Sequence, residues 1–396
     1  MSIDLKAQKW FVCFASAVLI TGVSISYDIA PMLQSLYRFQ NLFGLLSFVV
    51  LFYFYVRQRQ MTLFDFVALT YVLFLSLTTL LSGTDLGGAI HRAIEVMTLI
   101  MIFNYFSDRL PLVIKTMALT FSSCIYLNSI IMLLLPDWMA DAYNQFDSYL
   151  IGGNYNQMGG RILPGLVLNI MCLKYGRRWW INLIPYFVMS MWSLGIVGSM
   201  TSLASLTIFA ILCLLRSSAL RSIALWAYFS VYILFQTFVV FSGGGLKDNS
   251  LAVYLIKDVM GKDMTFTNRT VLWDAAGRLF SESPLTGYGW VPGEWYVAHM
   301  TNVAIGPHNF IYSVLVNGGI VLLSILVFLV FVSLKNNRFK TSYYSWILVS
   351  GILTYAFMML MEVYPFFFLF LLLTLAYYYD RCTVTEDTIT KDQKDA

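Results

Sequence analysis

The stretch GPHNFIYSVLVNGG, residues 306–319, runs on into IVLLSILVFLVFVSL, residues 320–334. From residue 310 to residue 334 there is no Asp, Glu, Lys, Arg or His. That run exceeds the roughly 20 residues that carry a helix across a bilayer. A proline and a histidine stand directly before it. Histidine is costly inside a bilayer and is not needed at its edge. The run therefore predicts a membrane span, and His308 at its lip calls for an explanation.

The rest of the chain agrees with a membrane solvent. Its 396 residues are 59% hydrophobic and only 12% charged, with a mean hydropathy of +0.72. Soluble domains carry about 25% charged residues. The chain predicts an all-α, polytopic membrane protein. A net charge of +4 then says little about nucleic acid, and no nucleic-acid partner is expected. The five cysteines include four in apolar runs and no CxxC pair, which argues against disulfides and zinc and for small buried hydrophobes.

About twelve spans are legible, near 10–27, 40–56, 62–82, 89–107, 110–135, 161–173, 181–197, 199–215, 223–241, 310–334, 343–361 and 365–379. LGIVGSMTSLAS, between the seventh and eighth, reads as a turn or a kink. Basic residues alternate with the spans: Lys6 and Lys9, Arg57 and Arg59, Arg109, Lys174 to Arg178, Arg216 and Arg221, Lys335 to Lys340, Arg381. The positive-inside rule makes these connections and both termini cytoplasmic. The first span, behind Lys6 and Lys9, reads as a retained signal-anchor.

The expected organisation is spans one to nine over 1–241, a large outer loop over 242–309, spans ten to twelve over 310–379, and a polar tail over 380–396. Loops as long as the second of these are functional or disordered. This one is rich in Trp, Tyr and Leu. Asn268 is placed to cap a helix, and Leu272, Ala275, Ala276, Leu279 and Phe280 recur at helical spacing up to Pro284. Ser250 is placed to cap a shorter helix ending near Gly261. The loop is expected to form a partly helical lid.

Cations gather where the positive-inside rule makes them scarce. Arg38, Arg92, Arg161 and His308 sit at or near outer helix ends, and Arg269 and Arg278 lie in the loop. A ring of arginines at one membrane level suits an anion such as phosphate, whose oxygens match the planar guanidinium fork. The alternative is snorkelling to lipid headgroups. Glu95 shares a helical face with His91 and Arg92 and is expected to pair with Arg92. Glu362, at another outer helix end, either supports a cation or is solvated. Asp65 and Lys115 lie close enough to cytoplasmic helix ends to snorkel. Trp273, Tyr288, Trp290, Trp295 and Tyr296 read either as sugar platforms or as an aromatic belt.

Two segments carry a family resemblance. One is NRTVLWDAAGRLFSESPLTGYGW, residues 268–290, followed by PHNFIYSVLVNGG; the other is NYNQMGGR, residues 154–161. They resemble the O-antigen ligase and O-antigen polymerase superfamily. The resembling positions are Arg269, Trp273, Pro284, Leu285, Gly287, Gly289, His308, Asn309 and Gly318, with Tyr155 where the family has proline before Asn156. One position departs: Met200 follows Ser199 where the family often has arginine.

The resemblance implies an inverting, metal-independent glycosyltransferase of GT-C-like architecture in the bacterial inner membrane. It implies an active site on the periplasmic side and a glycan donor on undecaprenyl pyrophosphate. His308 would be the general base and Arg269 catalytic. Arg269, Arg161, Arg92, Arg278 and Arg38 would hold pyrophosphate, supported by Asn309, Asn156, Glu95, Trp273, Tyr288 and Trp290. No cofactor or metal is implied. The Pro-His-Asn and Asn-Gly-Gly segments favour a polymerase, which adds the glycan to a second lipid-linked repeat. The alternative is a ligase acting on lipid A-core, and a chain-length regulator is a further partner. His299 and Glu294 are the other candidate bases. A lipid-linked oligosaccharide flippase is the reading from a different class; it predicts ionisable residues near the midplane and broken repeats. The topology has a direct check. A thiol reagent added from outside is expected to label cysteines placed near residues 145 and 255 and to spare those near 176 and 337; the reverse pattern would move the site to the other compartment.

Overall fold

The computed structural model describes residues 5–26, 31–58, 61–135, 149–153, 155–242, 269–300 and 306–395, and side chains are not described at 5–8, 31–32, 58, 155–156 and 383–395. It is all-helical apart from two isolated bridges among these residues. The helices are α1 (Leu5–Ser24), α2 (Pro31–Gln58), α3 (Leu63–Ser82), α4 (Leu86–Tyr105), α5 (Leu110–Leu134), α6 (Tyr155–Cys172), α7 (Trp180–Ile196), α8 (Met200–Leu214), α9 (Ser218–Phe235), α10 (Arg269–Glu282), α11 (Gly293–His299), α12 (Phe310–Leu334), α13 (Tyr343–Met358) and α14 (Phe366–Asp395). Each expected span falls on one of them. By length and composition, six helices are long and apolar enough to cross a membrane, among them Leu63–Ser82, Leu86–Tyr105 and Phe310–Leu334.

Local chemistry sets the helix ends. Thr62 and Asp65 form a capping box on α3, and Asp85 caps α4 by accepting from Gly88 N at 2.9 Å. Such caps occupy amides that the first helical turn leaves without partners. Between α7 and α8 Gly198 turns the chain at φ 67°, so these are two helices. α14 is apolar all round over residues 366–376 and almost wholly buried there, as a helix surrounded by others must be. It packs against α4, α6, α12 and α13. α2 and α9 lie at the periphery and present their apolar side chains outward.

Asp65 differs from the expected snorkelling residue. It is fully buried, accepting from Tyr55 Oη at 3.1 Å, Asn104 Nδ2 at 2.7 Å and Tyr378 Oη at 2.7 Å. A carboxylate with that many donors is held inside because its charge is spread over hydrogen bonds. It ties α2, α3, α4 and α14 together.

The break in α12 is what shapes the opposite end. Gly319 has φ 61° and ψ −162° inside the helix, so the backbone bonds across it are lost. The PLTGYG turn, residues 284–289, replaces them. Ile320 N donates to Pro284 O at 2.9 Å, while Tyr288 N and Gly289 N donate to Val316 O and Asn317 O, both at 2.8 Å. Gly289, at φ 77°, also lies against the backbone of Thr79, where a Cβ would collide. The turn is thereby locked to α12 and to the end of α3. The expected helix after Asn268 is α10; Asn268 itself, Ser250 and Gly261 lie outside the described residues.

Gly319→Ala forces a side chain into the left-handed region and against the Leu285 carbonyl. The conformational penalty alone is about 1–2 kcal/mol. The purified protein is expected to unfold at a lower temperature in detergent; an unchanged melting temperature would show that the break does not depend on glycine.

Candidate functional site

His308 is the one non-glycine residue with positive φ among the described residues, at 47°. Backbone strain of this kind persists only where neighbours enforce it. The neighbours are visible. Asn309 caps α12, its Oδ1 accepting from Tyr312 N at 3.0 Å. Its Nδ2 donates to Leu360 O and to Gln236 Oε1, each at 3.0 Å. Phe310 N donates to Met359 O at 3.0 Å. The start of α12 is thus laced to the strip after α13. Of the two roles open to Asn309, the structure has it capping, not touching the imidazole.

That lacing brings His308 beside Glu362. Nδ1 lies 2.8 Å from Glu362 Oε1. An ionised carboxylate only accepts, so Nδ1 carries the proton and Nε2 is the acceptor when the ring is neutral. Glu362 is buried, and its Oε2 faces Arg269 at 3.6 Å. One carboxylate therefore stands between a histidine and an arginine that are 39 positions apart in the chain. Tyr364 lies within electrostatic reach of Glu362, Arg161 and Arg269.

His308 and Glu362 line a cavity of about 330 Å³. Arg92, Gln157, Trp290, Tyr296, Ser313 and Asn317 share its wall. Arg92 pairs with Glu95 at 2.8 Å, as its helical spacing predicts, and lies over the Trp290 ring at 5.9 Å. Arg92 also borders a second chamber of about 310 Å³ with Arg161, His91 and Glu95. Arg161 Nη1 is held by Gln157 O and Oε1 at 2.8 and 2.9 Å. Its guanidinium stands over the Phe368 ring at 5.8 Å.

Other sequence candidates land elsewhere. Arg38 and Arg278 are exposed and border neither chamber. Trp273 is fully buried in the small core beneath the lid, so neither ring face is open to a sugar. Tyr288 donates to Glu282 at 2.9 Å away from the cavity, and burial, with Glu282 adding to it, raises its phenol to about 12. His299 is exposed and stacked on Trp295 at 4.1 Å, and Glu294 is exposed. The side chain of Asn156 lies outside those described. Conversely, Tyr296, whose hydroxyl donates to Asn317 Oδ1 at 3.2 Å, lines the cavity; the sequence marks it only as one more aromatic. Gln157 and Asn317 stand inside the NYNQMGGR and Asn-Gly-Gly segments without having been singled out, and Ser313 carried no signal beyond being a polar residue near a helix start.

The arrangement supplies a proton acceptor backed by a carboxylate, a set of guanidiniums, and an aromatic wall. Residues 185–327 match the family model described as O-antigen ligase. The matched stretch covers less than half of the chain and contains Arg269, the PLTGYG turn, His308 and Gly319; Arg92, Arg161 and Glu362 lie outside it. It supports the O-antigen ligase and polymerase superfamily and a multi-pass membrane protein of polysaccharide biosynthesis. No curated protein matches the chain.

The capping network gives an independent check on how His308 is placed. Asn309→Ala removes one cap and three further hydrogen bonds, and caps alone contribute about 0.5–2 kcal/mol. Thermal unfolding is expected to shift down clearly, with Asn309→Asp, which keeps the capping oxygen, in between. Equal stability of all three forms would discount the network.

Proposed function

We propose that the chain is a surface-polysaccharide polymerase, an inverting glycosyltransferase. It moves a glycan from undecaprenyl pyrophosphate to the terminal sugar hydroxyl of another lipid-linked repeat unit. The single observation that supports this most is the buried Glu362 carboxylate joining His308 to Arg269 at the wall of a cavity beside Arg92.

In this reading the acceptor hydroxyl gives its proton to His308 Nε2 as its oxygen attacks the anomeric carbon. Imidazole, with an ordinary pKa of about 6.5, suits that task near neutral pH. Glu362 holds the ring through Nδ1 and offsets the positive charge that the ring acquires. The bond from the anomeric carbon to the pyrophosphate oxygen breaks on the opposite face, which inverts the centre. The leaving pyrophosphate takes the electron pair, and Arg269, Arg92 and Arg161 offset its charge. Guanidiniums placed in advance act here as fixed dipoles and metals do elsewhere. Trp290 offers a sugar platform beside them, and Glu95 holds Arg92 in place. The proposed setting is the inner membrane, with the site on the periplasmic side and both termini in the cytoplasm.

The second reading is a ligase that transfers the finished glycan to lipid A-core, and the description of the matching family favours it. Deleting the gene separates them on a gel of the surface polysaccharide. Loss of a polymerase leaves single repeats attached, whereas loss of a ligase leaves bare core and polymer on the carrier.

For the chemistry, His308→Ala is expected to abolish transfer while the protein still accumulates in the membrane. Activity is expected to survive EDTA. Arg269→Lys keeps the charge but not the fork and is expected to be partly active; Arg269→Ala is expected to lose more, about 2–4 kcal/mol by comparison with a lost oxyanion donor. Normal turnover by the His308 variant in a purified assay would overturn the assignment.

A further inference from the structure

Three hollows follow one another from the site toward the lipid. The reaction cavity and the Arg161 chamber meet at Arg92. The chamber in turn shares Gly22, His91 and Glu95 with a groove of about 280 Å³ between α1, α2 and α4. Their chemistry changes along the way. The chamber holds two guanidiniums, and its carboxylate, Glu95, already serves Arg92 at 2.8 Å and His91 at 3.3 Å. Arg161 Nε is buried without a hydrogen-bond partner among the described residues. The groove beyond is walled by Ala15, Val18, Leu19, Leu45, Ile90 and Ile94. Its charged wall residues, His91 and Glu95, stand at the end shared with the chamber, and Gln40 spends its amide hydrogens on Val18 O at 2.7 Å and Thr21 Oγ1 at 3.2 Å. From Gly22 to Ala15 the groove descends along α1 by about 10 Å at 1.5 Å per residue. At its rim Leu45 and Ile90 are 47% and 46% exposed.

We propose that this groove takes the polyprenyl chain of the lipid-linked substrate whose pyrophosphate lies between Arg92 and Arg161. The inference rests on the reading above that the substrate is a polyprenyl pyrophosphate. An anionic head and a hydrocarbon tail in that order match a cationic chamber opening into an apolar groove. A chain burying apolar surface gains about 25 cal/mol per Å² relative to water. In lipid that gain is absent, so the groove acts by steering: it accepts the chain only when the head has reached the arginines. The acceptor then approaches from the other side of Arg92, where His308 waits.

Gly44 makes the groove testable. Gly44 lines the groove and a Cβ built on it meets nothing within 4 Å, so a side chain can start there without displacing the backbone, and Gly44→Trp is the variant chosen to obstruct the groove. The measurement is binding to the purified protein in nanodiscs, with undecaprenyl pyrophosphate, farnesyl pyrophosphate and inorganic pyrophosphate as probes. Wild type is expected to bind tighter as the chain lengthens. Gly44→Trp is expected to weaken undecaprenyl pyrophosphate at least tenfold and leave inorganic pyrophosphate unchanged. Arg161→Gln is expected to weaken all three. A photoreactive benzoylphenylalanine at Ile90, in an otherwise unaltered chain, is expected to crosslink undecaprenyl pyrophosphate; one at Phe331, exposed on α12, is not. Undiminished binding by Gly44→Trp, or equal crosslinking at both positions, would overturn the groove while leaving the proposed reaction standing. Absence of binding by any pyrophosphate would overturn both.

Discussion

A membrane helix broken in its middle has to find partners for the amides and carbonyls it frees, because the hydrocarbon around it supplies none. In this chain the constraint falls on α12 at Gly319, and residues 284–289 answer it. The exchange runs both ways: the turn receives bonds at Pro284 O and gives them from Tyr288 N and Gly289 N. Each side therefore needs the other. Without the turn the break would leave unpaired backbone at membrane depth; without the break the turn would have nothing to dock on. α10 and α11 flank the turn, so the same few bonds fix these two helices, with Arg269 at the start of α10 beside Glu362.

Burial of Glu362 turns that placement into chemistry. A carboxylate removed from water is unfavourable unless charge is returned to it. Here His308 returns a hydrogen bond at 2.8 Å and Arg269 a charge at 3.6 Å. The two contacts differ in kind. The first fixes a ring and its tautomer. The second, at 3.6 Å, is longer than a hydrogen bond, so it acts through charge and does not fix the guanidinium's orientation. Charge accounting points the same way: three arginines, Arg92, Arg161 and Arg269, stand against two carboxylates, Glu95 and Glu362.

Much of the architecture is legible in the sequence because bilayer solvent imposes one rule on every span. Apolar length marked α3, α4, α5 and α12 to within a few residues, and the run of residues before Pro284 marked α10. Gly198 fell between the seventh and eighth spans in a segment that read as either a turn or a kink, and the structure has the turn. Within the site, Arg92 with Glu95 could be read from helical spacing. His308 with Glu362 could not, since 54 positions separate them and only the tie from Asn309 and Phe310 to residues 359–360 brings them together. Asp65 looked like a residue free to reach water because depth along a helix says nothing about which face it is on. Trp273 carried the same ambiguity: an aromatic beside a motif arginine is a platform if exposed and core if not, and here it is core.

Arg38 and Arg278 show where counting cations fails. Arg278 lies nine residues after Arg269 on α10, two and a half turns on, so at 100° per residue the two point to opposite faces. A helix that offers Arg269 to Glu362 must turn Arg278 away. Arg38 stands on α2, one of the two peripheral helices, where it is exposed and borders neither chamber. What distinguishes Arg92, Arg161 and Arg269 is a specific restraint on each: Glu95, Gln157 and Glu362. Restraint is what makes an arginine useful to a departing pyrophosphate, because a guanidinium already in place loses little freedom as charge develops. The three restrained arginines differ in place: Arg92 is on the wall shared by both chambers, Arg161 borders only the second, and Arg269 borders neither and meets the first through Glu362. The cavity beside His308 and the chamber beside Arg161 therefore meet at Arg92, so the proposed donor and acceptor positions adjoin without overlapping.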